Sequence, residues 1–348
     1  MKQYLDLLQN ILDNGRKKES GRANMPNTIG ISHAVIKMDL QQGFPLLTTK
    51  KMYWKGIVHE LLWFLKGETN IKYLVDNDVN IWNGDAYRWY LKKYEESNRK
   101  GNHAFLSSIE DFIGVIKNGE GFENHEWFKN YRIGDLGKVY GYQWRNQNGV
   151  DQIRDIYEDL KKNPYGRYKI IEGWNKKDFS EMSLPPCHLL YQFIVRPMTF
   201  EERKRIMNNL GIYMKDGFEY SEIEFDEHNI PKYFLDLNMY QRSCDTFLGV
   251  PFNLASMSLL LMIMAKAVGM VAGDAFWIGG DTHIYVDHID VVKEQISREP
   301  LELPKMMIKK EVNSFEDILE LTIDDFELLD YQSHDKLKAE LFTGLKKS

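Results

Sequence analysis

Cysteine is scarce in this 348-residue chain: Cys187 and Cys244 are the only two. A disulfide framework and a cysteine-rich metal site are therefore both excluded, and a reducing, cytoplasmic setting is expected. Glycine-rich phosphate loops of the GxGxxG or GxxxxGKS/T kind are missing, and HELLW is not the zinc signature HExxH. Dinucleotides, nucleoside triphosphates and zinc lose support with them, and no metal is expected. Long blocks of one charge are also missing: 51 acidic and 45 basic residues leave a net charge of −6. Nothing here suits a protein that tracks the phosphates of a nucleic acid polymer, whereas a small anion needs only a local basic cluster. The longest apolar stretch, residues 254–265, runs into Lys266 and falls short of the ~20 residues a membrane span requires. It reads as a buried core helix, so no membrane partner is expected. No internal repeat or low-complexity tract interrupts the chain.

With 43% hydrophobic residues the chain can bury a sizeable core. Its length favours a single domain over residues 1–348, carrying insertions at about 86–131 and 197–232. The N-terminus predicts an amphipathic helix ended by Gly15 rather than a signal peptide. A polar loop with Arg16 and Arg22 follows, then one strand over TIGISHAVIKMDL. WKGIVHELLWFLKG predicts a helix closed by Gly67, and further helices are predicted over 69–76 and 150–162. HLLYQFIVR and YFLDLNMYQRS read as strands flanking a charged helix, FEERKRIMNNLG. Strands and helices mix without regular alternation, so the class is α+β.

Four places hold residues that carry chemistry. In SLPPCH two prolines stiffen the approach to Cys187, as a nucleophilic thiol needs, although a buried structural cysteine is the alternative. YQRSCDTFLGVPFN packs amide, guanidinium, hydroxyl, carboxylate and carboxamide groups around a turn. Arg242 and Ser243 can grip a phosphate there, and Asn253 offers a pyrimidine edge both a donor and an acceptor. Helix capping by the same residues is the plainer reading. GGDTHIYVDH reads as a short strand with His283, Tyr285 and Asp287 on one face, either touching a sugar hydroxyl or merely exposed at an edge. Glu60 sits between Val58 and Leu61 on an apolar helix face, where a carboxylate is costly unless paired or used as an acid or base. Alternatively Glu60 is a rim residue and His59 its exposed neighbour.

Taken in order, HELLWFLKGETNI, NIW, GDLGKVYGYQWR, PPCH, YQRSCDTFLGVPFN and GGDTHIY resemble the thymidylate synthase family over roughly Tyr4 to Tyr331, apart from the insertions. The resemblance implies an α+β domain around a large mixed sheet that packs in a homodimer. It implies transfer of one carbon from 5,10-methylenetetrahydrofolate, a reduced folate acting as co-substrate, to C5 of dUMP. Cys187 would be the thiolate that attacks C6, with Arg242 lowering its pKa and holding the phosphate beside Ser243 and Arg22. Arg167 would reach the phosphate of the neighbouring subunit. Asn253 would read the uracil, where relatives acting on cytosine nucleotides carry aspartate. His283 and Tyr285 would bind the 3′-hydroxyl, while Gln241 and His188 support the substrate pocket. Glu60 and Tyr140 would move protons. Trp82, Asp245, Leu248, Gly249 and Phe252 would hold the folate.

The chain departs from the family in four places. The arginine loop reads GRANMPN instead of RTGT, and Tyr168 follows Arg167 where a second arginine is usual. After NIW come Asn83, Gly84 and Asp85 in place of an acidic residue and a tryptophan. The chain closes on KAELFTGLKKS rather than a short apolar tail such as PVAV, with Leu341, Phe342 and Leu345 left to supply apolar cover. If water rather than hydride captures the intermediate, the product is 5-hydroxymethyl-dUMP, so a deoxyuridylate hydroxymethylase is the alternative activity. A non-catalytic RNA-binding or scaffold protein is disfavoured by the intact set Cys187, Arg242, Asp245 and Asn253. A cysteine hydrolase using His188 is disfavoured because adjacent strand residues point to opposite faces.

Overall fold

The computed structural model describes residues 1–21, 24–96, 106–119, 131–214 and 219–345. Arg22 lies outside the described residues, as do much of the first insertion and part of the second. The helices are α1 (Lys2–Asn14), α2 (Trp54–Leu65), α3 (Lys72–Asp76), α4 (Asn83–Glu96), α5 (Ile109–Asn118), α6 (Tyr140–Asn146), α7 (Gln152–Lys162), α8 (Phe200–Asn209), α9 (Glu222–Glu227), α10 (Gly249–Ala267), α11 (Ile289–Ile296) and α12 (Phe315–Leu319). The strands are β1 (Arg16–Lys18), β2 (Thr28–Ile31), β3 (Ala34–Asp39), β4 (Ile170–Glu172), β5 (His188–Pro197), β6 (Tyr233–Asp245), β7 (Val271–Tyr285), β8 (Lys305–Ile308) and β9 (Phe326–Leu329).

Seven strands form one mixed sheet in the order β1-β2-β7-β6-β5-β4, with β3 also on β7. β6 and β7 run parallel, and the other pairs are antiparallel. Side chains alternate between faces. Ile36, Leu237, Met239, Ala275, Trp277, Tyr191 and Phe193 point to the buried face. Against that face lies α10, whose Leu254, Leu259, Leu260, Leu261, Ile263 and Met264 are fully buried. Each such side chain contributes roughly 1.5–3 kcal/mol of transfer free energy. By length and composition α10 could cross a membrane, but most of it is buried inside this fold. The α+β class and large mixed sheet are as the sequence implies.

Several boundaries differ from expectation. TIGISHAVIKMDL is two strands broken at Ser32 and His33, because β2 and β3 pair with successive lengths of β7. The start of the polar loop forms β1. GGDTHIY is no short edge strand but the last seven residues of a fifteen-residue central strand. Asp287 leaves it for a single 3-10 turn and shares no strand face with His283. The region read as the first insertion carries two helices: α4 enters it from Asn83, and Ser108 caps α5 through the Asp111 N–H. Its Tyr87, Tyr90 and Phe112 join the main core. The second insertion keeps a small cluster of its own, Met207, Phe225 and Ile230. There a Thr199–Glu202 capping box starts α8, and buried Arg203 ties it to Glu222 and Asp226 around α9.

Candidate active site

Cys187 stands just before β5, half-buried, and its backbone is held from two sides. Its N–H donates to the Tyr140 hydroxyl at 2.7 Å, and its carbonyl accepts the Arg242 N–H at 2.8 Å. The Arg242 guanidinium braces the two preceding residues, with Nε donating to Pro186 O and Nη2 to Pro185 O, both at 2.8 Å. That leaves Nη1 without a hydrogen-bond partner among the described residues. The stiff Pro-Pro segment and the guanidinium thus form one unit beside the sulfur. Along β6 the burial alternation slips at Arg242 and Ser243, so both consecutive residues keep access to solvent. The other cysteine, Cys244, is fully buried, and burial pushes its thiol up to about 12. It is inert, and neither cysteine is in a disulfide.

The ring of His188 stacks on Tyr140 with centroids 4.2 Å apart and planes 22° apart. Its Nδ1 lies 2.8 Å from the Tyr191 hydroxyl. Burial drives the imidazole down to about 3, so it is neutral at any physiological pH. It cannot share a proton with Cys187 as an ion pair. Tyr140 is held well above the ordinary tyrosine range, mainly by burial, and keeps its proton.

Glu60 on α2 accepts the Trp82 indole N–H at 2.7 Å. The Trp82 and Tyr140 rings lie 6.0 Å apart. Burial raises the carboxyl from 4.5 to about 7, only partly countered by the indole hydrogen bond. His59 is not its exposed neighbour: it is buried and bonded to the Tyr73 hydroxyl through Nδ1.

A hydrogen-bond chain orients Asn253. The Trp277 indole N–H, a donor only, gives to Gln241 Oε1 at 2.9 Å. The Gln241 amide nitrogen must then be the donor to Asn253 Oδ1 at 3.0 Å. That fixes Oδ1 as the atom accepting from Gln241, which leaves Asn253 Nδ2 as a donor and one lone pair on its oxygen. Gly249 is the glycine beside this site: a Cβ there would lie 3.6 Å from Asp245 Cβ and 3.8 Å from Asn253 Oδ1. Asp245 Oδ1 accepts the N–H groups of Phe247 and Leu248 at 3.2 and 3.1 Å, fixing the turn into α10. Leu248, Gly249, Phe252 and Asn253 are all half-buried on the first turn of an otherwise buried helix.

His283 and Tyr285 both lie at the end of β7, ring centroids 5.4 Å apart. His283 Nδ1 faces the carbonyl and carboxylate of Asp281 at 3.2 and 3.3 Å. That hydrogen bond, helped by Lys18, holds Asp281 at about 2. An ionised carboxylate only accepts, so Nδ1 carries the proton toward Asp281, and Nε2 is the nitrogen left for another partner. β6 and β7 pair in parallel with Asp245 opposite His283, which brings the Arg242–Asp245 segment alongside the sugar-site candidates.

Arg167 is set apart. It stands exposed on the turn between α7 and β4 and makes no hydrogen bond or ion pair with the other described site residues. The turn is pegged by Lys169, whose fully buried ammonium donates to Asn163 O and Gly166 O at 2.8 Å and pairs with Asp159 at 2.8 Å.

Comparison with known proteins decides the family. A sequence profile of thymidylate synthase matches residues 2–343. The chain belongs to the thymidylate synthase family. A thymidylate synthase from Mycoplasma mobile is 42% identical over 341 residues, covering 98% of this chain and 99% of the relative. Thymidylate synthases from Malacoplasma penetrans and Mycoplasma pneumoniae are 42% and 40% identical, each over 98% of this chain and 99% of their own lengths. Members of this family are folate-dependent methyltransferases with 5,10-methylenetetrahydrofolate as co-substrate, and this chain is an enzyme of that type. Trp277, Tyr191 and Trp174, whose ring lies 5.3 Å from the Arg242 guanidinium, were not singled out from sequence. Their parts depend on strand register, which no local spacing announces.

Proposed function

We propose that Cys187 is the covalent nucleophile in the conversion of dUMP to dTMP and that the residues around it act as follows. Arg242 binds the substrate phosphate through Nη1, with Ser243 and Arg22, and keeps positive charge beside the sulfur, which favours the thiolate. The thiolate adds to C6, the ring electrons move toward C4 and O4, and C5 becomes the nucleophile. Asn253 donates Nδ2–H to O4 and accepts the N3 proton on its remaining lone pair, which suits uracil and opposes cytosine. Glu60, titrating near 7, gives and takes protons at O4 through water. Tyr140 assists removal of the C5 proton. His283 Nε2 and the Tyr285 hydroxyl hold the 3′-hydroxyl, and Gln241 and His188 support the pocket. The reduced folate supplies the methylene carbon and then a hydride, leaving as dihydrofolate. Trp82, Asp245, Leu248, Gly249 and Phe252 are the residues that hold it. Expulsion of Cys187 from C6 ends the cycle.

The homodimer and the role of Arg167 belong to the same reading. Val35, Ile278, Tyr240 and Leu190 lie opposite one another across four neighbouring strands, on the face of the sheet away from α10. Val35 and Tyr240 are 61% and 39% exposed, and Ile170 and Ile194 extend the same face. An apolar sheet face this broad fits a second copy related by two-fold symmetry. Arg167, on the turn leading into edge strand β4, then reaches the partner's phosphate site. A single domain in a reducing cytoplasm completes the proposal.

The observation that carries the mechanism is the joint bracing of Cys187 by Tyr140 and Arg242. The test is incubation with dUMP and 5,10-methylenetetrahydrofolate, with both products identified by mass spectrometry. dTMP with dihydrofolate is expected, and hydride over water is favoured because the relatives named above are all thymidylate synthases. 5-Hydroxymethyl-dUMP with tetrahydrofolate would overturn it.

A further inference from the structure

Two of the departures from the family pattern meet in space. Thr343 of the unusual tail lies against Gly84 and Arg88, in and just after the unusual segment that follows NIW. Arg88, on α4, donates from Nε to Thr343 O at 3.1 Å and from Nη2 to Ser183 O at 3.3 Å. Asp85, one turn earlier, holds the same guanidinium at 2.6 Å. At Gly84 a Cβ would fall 2.7 Å from Thr343 Cγ2 and 2.9 Å from its Oγ1, so the tail packs where only glycine leaves room. On the other side Phe342 stacks on His288 at 5.0 Å and 19° and meets the Tyr285 ring edge-on at 5.0 Å. His288 Nε2 donates to Glu340 O at 3.0 Å, and Asn24 Nδ2 to Gly344 O at 3.1 Å. The strap therefore runs from the sugar-site tyrosine to the loop that leads, through Ser183, into Cys187.

We propose that Gly84, Asp85 and Arg88 are the receptor for this chain's own C-terminal tail, and that Arg88 is a positioning residue linking the docked tail to the nucleophile loop. The first insertion then contributes to catalysis through α4. The glycine leaves room for the Thr343 side chain, and the Asp85-held guanidinium meets its carbonyl. The consequence for the reaction rests on the proposed covalent mechanism: a docked tail keeps water from the exocyclic methylene left on C5. When water enters, its oxygen bonds that carbon, its proton passes to solvent, Cys187 leaves C6 with its electron pair, and tetrahydrofolate keeps its hydride.

The test compares wild type with Arg88→Ala, Arg88→Lys and Gly84→Val. Loss of a charge-assisted contact should raise the folate KM roughly tenfold or more in Arg88→Ala and Gly84→Val. The dUMP KM and the melting temperature should stay close to wild type, some product should divert to 5-hydroxymethyl-dUMP, and Arg88→Lys should recover part of the loss. A wild-type folate KM and product ratio in both Arg88→Ala and Gly84→Val would overturn the proposal. Hydrogen exchange of the 341–345 amides gives a readout independent of turnover. Faster exchange in both variants supports the receptor, and unchanged exchange contradicts it, even if wild type proves to make no dTMP and the mechanism itself fails.

Discussion

Replacing Glu60 by Gln should stabilise the protein at alkaline pH while crippling turnover. The carboxyl binds its proton more tightly in the folded chain, at about 7 against 4.5, because burial outweighs the indole hydrogen bond. Between these two values the folded state carries the extra proton. Stability from this group is therefore fully present below 4.5, falls as pH rises toward 7, and stays lost above it. The full difference is on the order of 3 kcal/mol. Allowing for the residual solvent access of a half-buried side chain, about 2 kcal/mol should separate pH 5 from pH 8. Glutamine keeps an oxygen for the Trp82 N–H and has no such slope. Urea denaturation of both proteins at pH 5, 6.5 and 8 should show Glu60→Gln gaining on wild type as pH rises, while kcat at neutral pH falls roughly 10²–10⁴-fold. A pH-independent stability difference, or a variant weaker than wild type at pH 8, would refute the reasoning.

Other consequences can be checked on the same reaction. Asn253→Asp should turn preference from dUMP toward dCMP, since a carboxyl can be protonated to match the cytosine edge; an unchanged kcat/KM ratio would deny Asn253 its reading role. Trp277→Phe should release the Gln241 amide and loosen Asn253, weakening uracil-over-cytosine discrimination roughly tenfold while leaving the covalent step intact. Discrimination equal to wild type would count against the orienting chain. Arg167→Ala should raise the dUMP KM about ten- to a hundredfold. Mixed and refolded with inactive Cys187→Ser, it should regain turnover, because one hybrid site then holds both native residues. No recovery would remove Arg167 from the partner's site.

How much was legible in the sequence varies with how local the signal is. The helix ended by Gly15 and the FEERKRIMNN helix are close to their observed spans, because apolar spacing and caps are local. The core helix expected from Leu254 starts at Gly249 instead, because the Gly-Val-Pro stretch read as a turn forms its first turn. β7 was misjudged because Gly279, Gly280, Asp281 and Thr282 look like an edge, whereas parallel pairing with β6 carries the strand through them. Cys187, Arg242 and Asn253 stood out because their types are dense in two short motifs. What holds them was hidden: the Trp277–Gln241–Asn253 chain spans β7, β6 and α10, and the Tyr140 hydroxyl reaches Cys187 across 47 residues. Arg88 escaped notice because α4 enters a charged, aromatic stretch without a clear apolar period, and its partner Thr343 lies 255 residues away.

The most direct test of the account is to quench the enzyme during turnover of dUMP with 5,10-methylenetetrahydrofolate, digest it and weigh the peptides, alongside Cys187→Ser. The account expects a nucleotide adduct on the peptide containing Cys187 and none on that of Cys244. Cys187→Ser should still bind dUMP in calorimetry but form no adduct and no dTMP. Undiminished turnover by Cys187→Ser, or an adduct carried by Cys244, would contradict it.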